Sequence, residues 1–137
     1  MSRIEKIRQI LDELKLDAFY ITHIPNIRYI TGFSGSSAFV IITKNKDYFL
    51  TDFRYKEQSA AQVKGFEIYV NYQTIEEKKK IFAAEGFKRV GFESTHMTVH
   101  GLQTLKENFP GVEFVPVAEK IEMLTMVKTP EEMAMIK

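Results

Sequence analysis

The chain has 137 residues, 45% of them hydrophobic and 27% charged, with a formal net charge of +1. Those are the size and balance of one ordinary globular domain, and so small a charge gives no drive toward nucleic acid, a membrane surface or an acidic partner. Cysteine is absent, which excludes disulfides, thiolate nucleophiles and thiolate metal sites.

Residues Met1 to Leu11 alternate charged and apolar side chains. That pattern predicts an amphipathic helix, not the continuous apolar stretch of a signal peptide. No run approaches the roughly 20 apolar residues of a membrane span, so a cytoplasmic address is the default expectation. Ser2 is placed to cap the first helix with Glu5 as capping-box partner. Ile4, Ile7, Ile10, Leu11 and Leu14 follow helical spacing, and Asp17 separates that helix from a buried strand, Ala18 to Ile21. Pro25 and Asn26 open a short helical turn through Tyr29 and Ile30. Gly32 to Ser37 is a loop of mostly small residues. Ala38 to Thr43 and Tyr48 to Thr51, joined by a polar turn at Lys44 to Asp47, read as an antiparallel hairpin.

Asp52 begins a helix expected to run to about Lys64, with Gly65 as its stop. Phe66 to Val70 is a strand. Thr74 to Glu85 is a helix with a Thr74/Glu77 capping box and Gly86 as its stop. Arg89 to Phe92 is a strand, Thr98 to Phe109 a helix ended by Pro110 and Gly111, and Val112 to Val115 a strand. This alternation predicts an α/β domain with a mixed β-sheet flanked by helices.

The candidates for chemistry are few. His96 and His100 have ligand spacing, but the segment lacks the glutamate base of a zinc-peptidase helix, and a helix start at Thr98 would separate them. A capping or surface role is the plainer reading, and His23 reads as structural. Gly32-Phe33-Ser34-Gly35-Ser36 does not match the spacing of a nucleophile elbow and lacks the lysine of a phosphate loop. It reads either as a simple link or as a loop whose small residues let backbone approach a ligand or another subunit. Asp52, Arg54 and Tyr55 sit where the strand turns into the helix; Asp52 can cap it, Arg54 can pair with a carboxylate, and Tyr55 can pack. The run Glu76 to Lys80 reads as a solvated helix face. The phenylalanines and tyrosines read as core, since no basic stripe interleaves with them.

Near the end, Thr129-Pro130-Glu131-Glu132 is a strong helix start: an N-cap, a proline at the first helical position, and two carboxylates at the positive end of the helix dipole. Met133 and Ile136 begin an apolar stripe that stops after about two turns, which is marginal for a helix standing alone. The expectation is a chain cut short inside a second domain; a short helix docked on its own domain is the other reading.

The run Asn26-Ile27-Arg28-Tyr29-Ile30-Thr31-Gly32-Phe33-Ser34-Gly35-Ser36, then a hairpin, then Leu50-Thr51-Asp52-Phe53-Arg54-Tyr55, resembles the N-terminal domain of the creatinase/prolidase/aminopeptidase P family. The tail from Val127 to Glu132 is similar to the segment that leads into that family's catalytic domain. The resemblance implies a ribonuclease H-like domain over residues 1–127 and the start of a pita-bread catalytic domain over 128–137. It implies a parent metallopeptidase that cleaves the bond preceding proline with two divalent ions, commonly manganese, cobalt or zinc. None of the family's metal ligands can be carried onto this chain, which would therefore be inactive alone. It implies as partners the chain's own catalytic domain, neighbouring subunits in a homo-oligomer and a proline-containing peptide. Phe33, Ser34, Gly35, Ser36 and Ser37 would be the loop at the active-site mouth, presenting backbone and Phe33 to the peptide, with Asp52, Arg54 and Tyr55 supporting it. The loop carries no charge, unlike relatives that read substrate ends with an arginine or an acid. In this it is more similar to the Xaa-Pro aminopeptidase or dipeptidase branch than to creatinase. A non-enzymatic binding module of the same descent is the alternative.

Overall fold

The structure, a computed structural model, describes residues 3–35, 37–70, 74–94 and 97–117. Helix α1 is Arg3–Leu14, strand β1 Ala18–Ile21, α2 Ile24–Thr31, β2 Phe39–Thr43 and β3 Asp47–Thr51. A 3-10 turn, Phe53–Tyr55, leads into α3, Lys56–Gln62; β4 is Glu67–Val70 and α4 Thr74–Glu85. Then come β5, Arg89–Glu93, α5, Val99–Asn108, and β6, Glu113–Val117. The strands form one sheet in the order β4-β3-β2-β1-β5-β6. β2 is antiparallel to both its neighbours, while β3 and β4, β1 and β5, and β5 and β6 pair in parallel. All strands except β2 therefore point the same way, and their carboxyl ends gather at one edge.

The mixed sheet expected from the alternation is thus present, and the period of two along each strand assigns its faces. Phe19, Ile21, Val40, Ile42 and Phe49 pack with Ile7 and Leu11 of α1 and Ile27 of α2 on the first face. Tyr20, Ile41, Leu50, Val90 and Phe92 pack with Ile81 and Phe82 of α4 and Leu105 of α5 on the second. Every residue of β1 is buried, which is why this central strand reads as an unbroken apolar run.

Several boundaries differ from the sequence reading, each for a local reason. α1 ends because Lys15 adopts a left-handed φ of 56°, and the Leu16 N–H reaches back to the Leu11 carbonyl at 2.8 Å, the Schellman closure. Asp17 instead stitches β1 to β5: its carboxylate accepts the N–H groups of Lys88 and Arg89 at 2.8 and 2.9 Å. The helix expected from Asp52 to Lys64 is divided into the 3-10 turn and α3. It stops at Val63, which turns extended to bury its side chain in the first-face core, before Gly65 is reached. β6 runs on through Pro116, which an edge strand tolerates because one row of its N–H groups pairs with nothing in the sheet. α5 begins at Val99 with Thr98 as its N-cap, which puts His100 in its first turn. Ser2, the side chain of Thr74, His96 and the helix start at Thr129 lie outside the described residues. Among the described residues no helix is long and apolar enough to cross a membrane.

Candidate functional site

The loop from Gly32 to Ala38 crosses from α2 to β2 at the edge where the carboxyl ends of the parallel strands gather, the usual place for ligands in open α/β sheets. α2 ends there because Gly32 takes a φ of 81°, and its N–H bonds the Arg28 carbonyl at 2.9 Å. A side chain with a Cβ is strained in that conformation.

Phe33 does not face outward, as the sequence reading had it: it is fully buried. Its ring lies edge-on to Phe49, centroids 4.9 Å apart, and to Tyr55 at 5.4 Å. A phenylalanine gains about 1.5–3 kcal/mol from such burial, so the ring anchors the loop in the core and leaves backbone and serine at the surface. Gly35 is folded down onto that anchor. A Cβ there would fall 2.6 Å from Cε2 of Phe33 and 2.9 Å from Cδ1 of Tyr55, so only glycine lets the backbone close over the rings.

Ser34 is exposed, and two residues the sequence reading passed over hold it. Gln62 accepts the Ser34 N–H at 2.9 Å and donates to its Oγ at 2.9 Å, while Gln58 donates to the same Oγ at 2.7 Å. Their spacing, one turn apart on α3, was the available signal, because i and i+4 share a helix face. Threonines fasten both ends. Thr31 bonds the Ile27 carbonyl and accepts the Phe33 N–H at 3.1 Å, and the Thr51 hydroxyl donates to the Ser37 carbonyl at 2.7 Å. Ser36 lies outside the described residues.

Asp52, Arg54 and Tyr55 come together beside this loop. Asp52 caps the 3-10 turn by accepting the Arg54 N–H at 2.9 Å, and the Arg54 guanidinium folds back onto the same carboxylate at 2.7 Å. That side-chain hydrogen bond holds the Asp52 carboxyl below its ordinary range, with the backbone bond assisting against desolvation. Arg54 lies over the Tyr55 ring at 5.3 Å, and Tyr55 in turn packs on Phe33. Arg54 is exposed, and the other face of its guanidinium meets solvent.

The second overlooked group is Glu93 at the carboxyl end of β5, only 3% exposed. Its Oε1 accepts the N–H groups of Thr22 and His23 at 2.6 and 2.9 Å, and its Oε2 accepts Nδ2 of Asn26 at 2.5 Å. It thereby fills the amino end of α2, where His23 makes no side-chain cap bond. An acid closing an apolar strand was the sequence signal, but only the sheet order shows which helix it meets. His100 is exposed on α5. Among the described residues no three His, Asp or Glu side chains converge as metal ligands. The donor set described here thus does not fit a metal centre.

A family model for the Creatinase/Prolidase N-terminal domain matches residues 3–127. An uncharacterized peptidase, YqhT, of Bacillus subtilis is 39% identical over 98% of this chain and 38% of its own length. The solved structure of a Xaa-Pro dipeptidase from Bacillus anthracis superposes with a TM-score of 0.88 at 33% identity, covering 96% of this chain and 37% of that one. The N-terminal domain of a cytoplasmic peptidase from Mycobacterium tuberculosis superposes at 0.82 with 29% identity, over 89% of this chain and 97% of that domain. The chain thus spans well under half of the curated relatives it matches.

Proposed function

Because the chain belongs to the Creatinase/Prolidase N-terminal domain family, we propose that it serves a metal-dependent Xaa-Pro peptidase as its non-catalytic domain. In this reading the domain takes part in oligomer assembly and narrows the approach to an active site built elsewhere. The manganese, cobalt or zinc ions, and the ligands that hold them, belong to the catalytic part. The peptide substrate is met by the edge of the loop at Ser34, which the buried Gly35 holds in position. The setting is the cytoplasm.

The observation that carries the reading is the construction of that loop. An uncharged surface turn is fixed by a buried ring, a close-packed glycine and two glutamines. Simple connections do not need such support, whereas a rigid surface that contacts substrate gains affinity from being preorganised. Asp52 and Arg54 reinforce the same turn through Tyr55 and are positioning residues. Serine hydroxyls and backbone groups suit a short neutral peptide better than a charged end, so the loop shapes the entrance without reading charge.

The test uses the chain alone and in a chimera. Alone, with added manganese, it is expected to give no turnover of a Xaa-Pro dipeptide or a Xaa-Pro-Xaa tripeptide. Replacing the matching segment of the Bacillus anthracis dipeptidase, it is expected to support activity, and Gly35→Ala in that chimera should raise KM more than it lowers kcat. Metal-dependent turnover by the chain alone, or a chimera indifferent to Gly35→Ala, refutes the proposal.

A further inference from the structure

On the second face of the sheet, between α4 and α5, lies an open cavity of about 330 Å³. Its walls include Tyr20, Phe39, Met97, Thr104 and Leu105, and one cation, Lys78. The neighbouring lysines of α4 point to solvent, but Lys78 is only 7% exposed. Its Nζ stands 3.4 Å from the centroid of the Phe39 ring and 5.1 Å from that of Tyr20. The two rings lie parallel within 4°, 6.1 Å apart. Among the described residues no carboxylate lines the cavity, and no ion pair or hydrogen bond satisfies the ammonium group. Burial alone lowers its pKa to about 8.

A buried ammonium group without a counter-ion is costly, and ring faces replace only part of its lost hydration. The first turn of α5, with Thr98 and Gly101 on the cavity wall, adds the positive end of a helix dipole on the opposite side. Both features favour an anion. The larger part of the remaining wall is aromatic, thioether and aliphatic, with Thr22, Thr104 and Asn108 as neutral polar groups among it, which suits an apolar body and not a small, fully hydrated ion. The volume is at the lower end of the range for small-molecule pockets, where a few polar groups orient a mainly apolar ligand. We propose that this cavity binds a small carboxylate with an apolar body, its carboxylate on Lys78 and its body against Phe39, Met97 and Leu105. The site is independent of the loop proposal and lies on the other face of the sheet.

Methyl NMR of the 137-residue chain, titrated separately with 4-phenylbutyrate, 4-phenylbutanol and inorganic phosphate, tests it. The acid should give saturable shifts at Met97 and Leu105, and bind at least about tenfold tighter than the alcohol. Phosphate should leave those methyls unmoved. Lys78→Met, which keeps the chain length and removes the charge, should weaken the acid about tenfold and leave the alcohol unchanged; Lys78→Arg should retain most of the acid's affinity. Equal affinity for acid and alcohol, an acid affinity indifferent to Lys78→Met, or no saturable shift by about 10 mM overturns the proposal. Should Lys78→Met not fold, the comparison of acid with alcohol on the unaltered chain decides.

Discussion

Glu93 offers the sharpest test of what holds the candidate site in place. It ties β5 to the start of α2, and the far end of α2 launches the loop at Gly32. Glu93→Ala removes the acceptor of two backbone N–H groups and of the Asn26 amide at a buried position. Hydrogen bonds to a charged group contribute about 1.5–3 kcal/mol each. Because water entering the space left behind recovers part of three such bonds, the net loss should be about 3–5 kcal/mol. Glu93→Gln keeps the shape and one good acceptor for Thr22 and His23. It loses charge assistance and the favourable charge at the helix amino end, together about 1–2 kcal/mol. It also sets its own NH2 against the Asn26 NH2, so Asn26→Asp should recover part of that loss when combined with Glu93→Gln but should destabilise the chain alone. Urea unfolding followed by circular dichroism gives each value, and melting should shift by about 4 °C per kcal/mol in a domain of this size. An alanine variant within about 0.5 kcal/mol of the parent, or a glutamine variant as damaged as the alanine one, would refute this account of Glu93.

The remaining expectations are smaller in scope. Gly35→Ala should destabilise by about 1–3 kcal/mol through overpacking, and Phe33→Leu in the same chain should relieve part of it; thermal melts of the single and double variants check this. Gln62→Ala should change stability by less than about 1 kcal/mol, since the site is exposed, yet speed hydrogen exchange at the Ser34 amide; unchanged exchange would show that Gln62 does not hold the loop. Two aspartates should respond oppositely to acid. Desolvation acts to raise the pKa of Asp17, but the backbone N–H groups of Arg89 and Lys88 outweigh it and leave it below the ordinary 3.8. Asp17 therefore stabilises the fold above the unfolded pKa, and Asp17→Asn should cost stability at neutral pH, the difference closing as pH falls through the folded value. Burial raises the pKa of Asp47 despite the Arg8 guanidinium at 2.8 Å, so its titration favours the fold below the ordinary value and loses that contribution as pH rises. Asp47→Asn should be better tolerated near neutrality; unfolding curves between about pH 3 and 7 distinguish the two.

How much of this was legible in the sequence depends on how local each determinant is. The strands read well because apolar β-branched and aromatic runs with turn residues between them leave little choice. α4 was readable to the residue, since Thr74 and Gly86 bracket it. The division after Asp52 was not readable, because a 3-10 turn and an α-helix share their first residues; only the need to bury Val63 and Tyr55 separates them. The loop's composition pointed to a special backbone, but composition does not tell a phenylalanine offered to a ligand from one swallowed by the core. Phe49 lies sixteen residues away in sequence, and its contact with Phe33 exists only once the hairpin folds back. Glu93 showed only as an acid closing an apolar strand, and Lys78, read as part of a solvated helix face, is buried; both escaped for the same reason. Each is an ordinary charged residue until the sheet order places Glu93 under α2, and α4 turns Lys78 inward.

The sheet order also explains why these features share one edge. β1 leads to α2 on the first face and then outward to β2, while β5 leads to α5 on the second face and outward to β6. The chain thus departs in opposite directions from two adjacent parallel strands, and a crevice opens between their carboxyl ends, the general ligand position of open α/β sheets. On the first face that position is already taken: the Glu93 carboxylate occupies the anion place at the amino end of α2, where it accepts the N–H groups of Thr22 and His23 and the Asn26 side-chain amide. On the second face the equivalent place beside α5 holds no such resident anion among the described residues, and Lys78 adds a cation to it. One half of the crevice is therefore spent on stability, which keeps α2 and the loop beyond it rigid. The other half retains the charge and the space that a ligand requires. Glu93→Gln and Lys78→Met should accordingly separate: the first should lower the melting temperature without changing carboxylate affinity, and the second should weaken that affinity about tenfold while leaving the melting temperature unchanged or higher, because it removes a buried charge that has no counter-ion among the described residues.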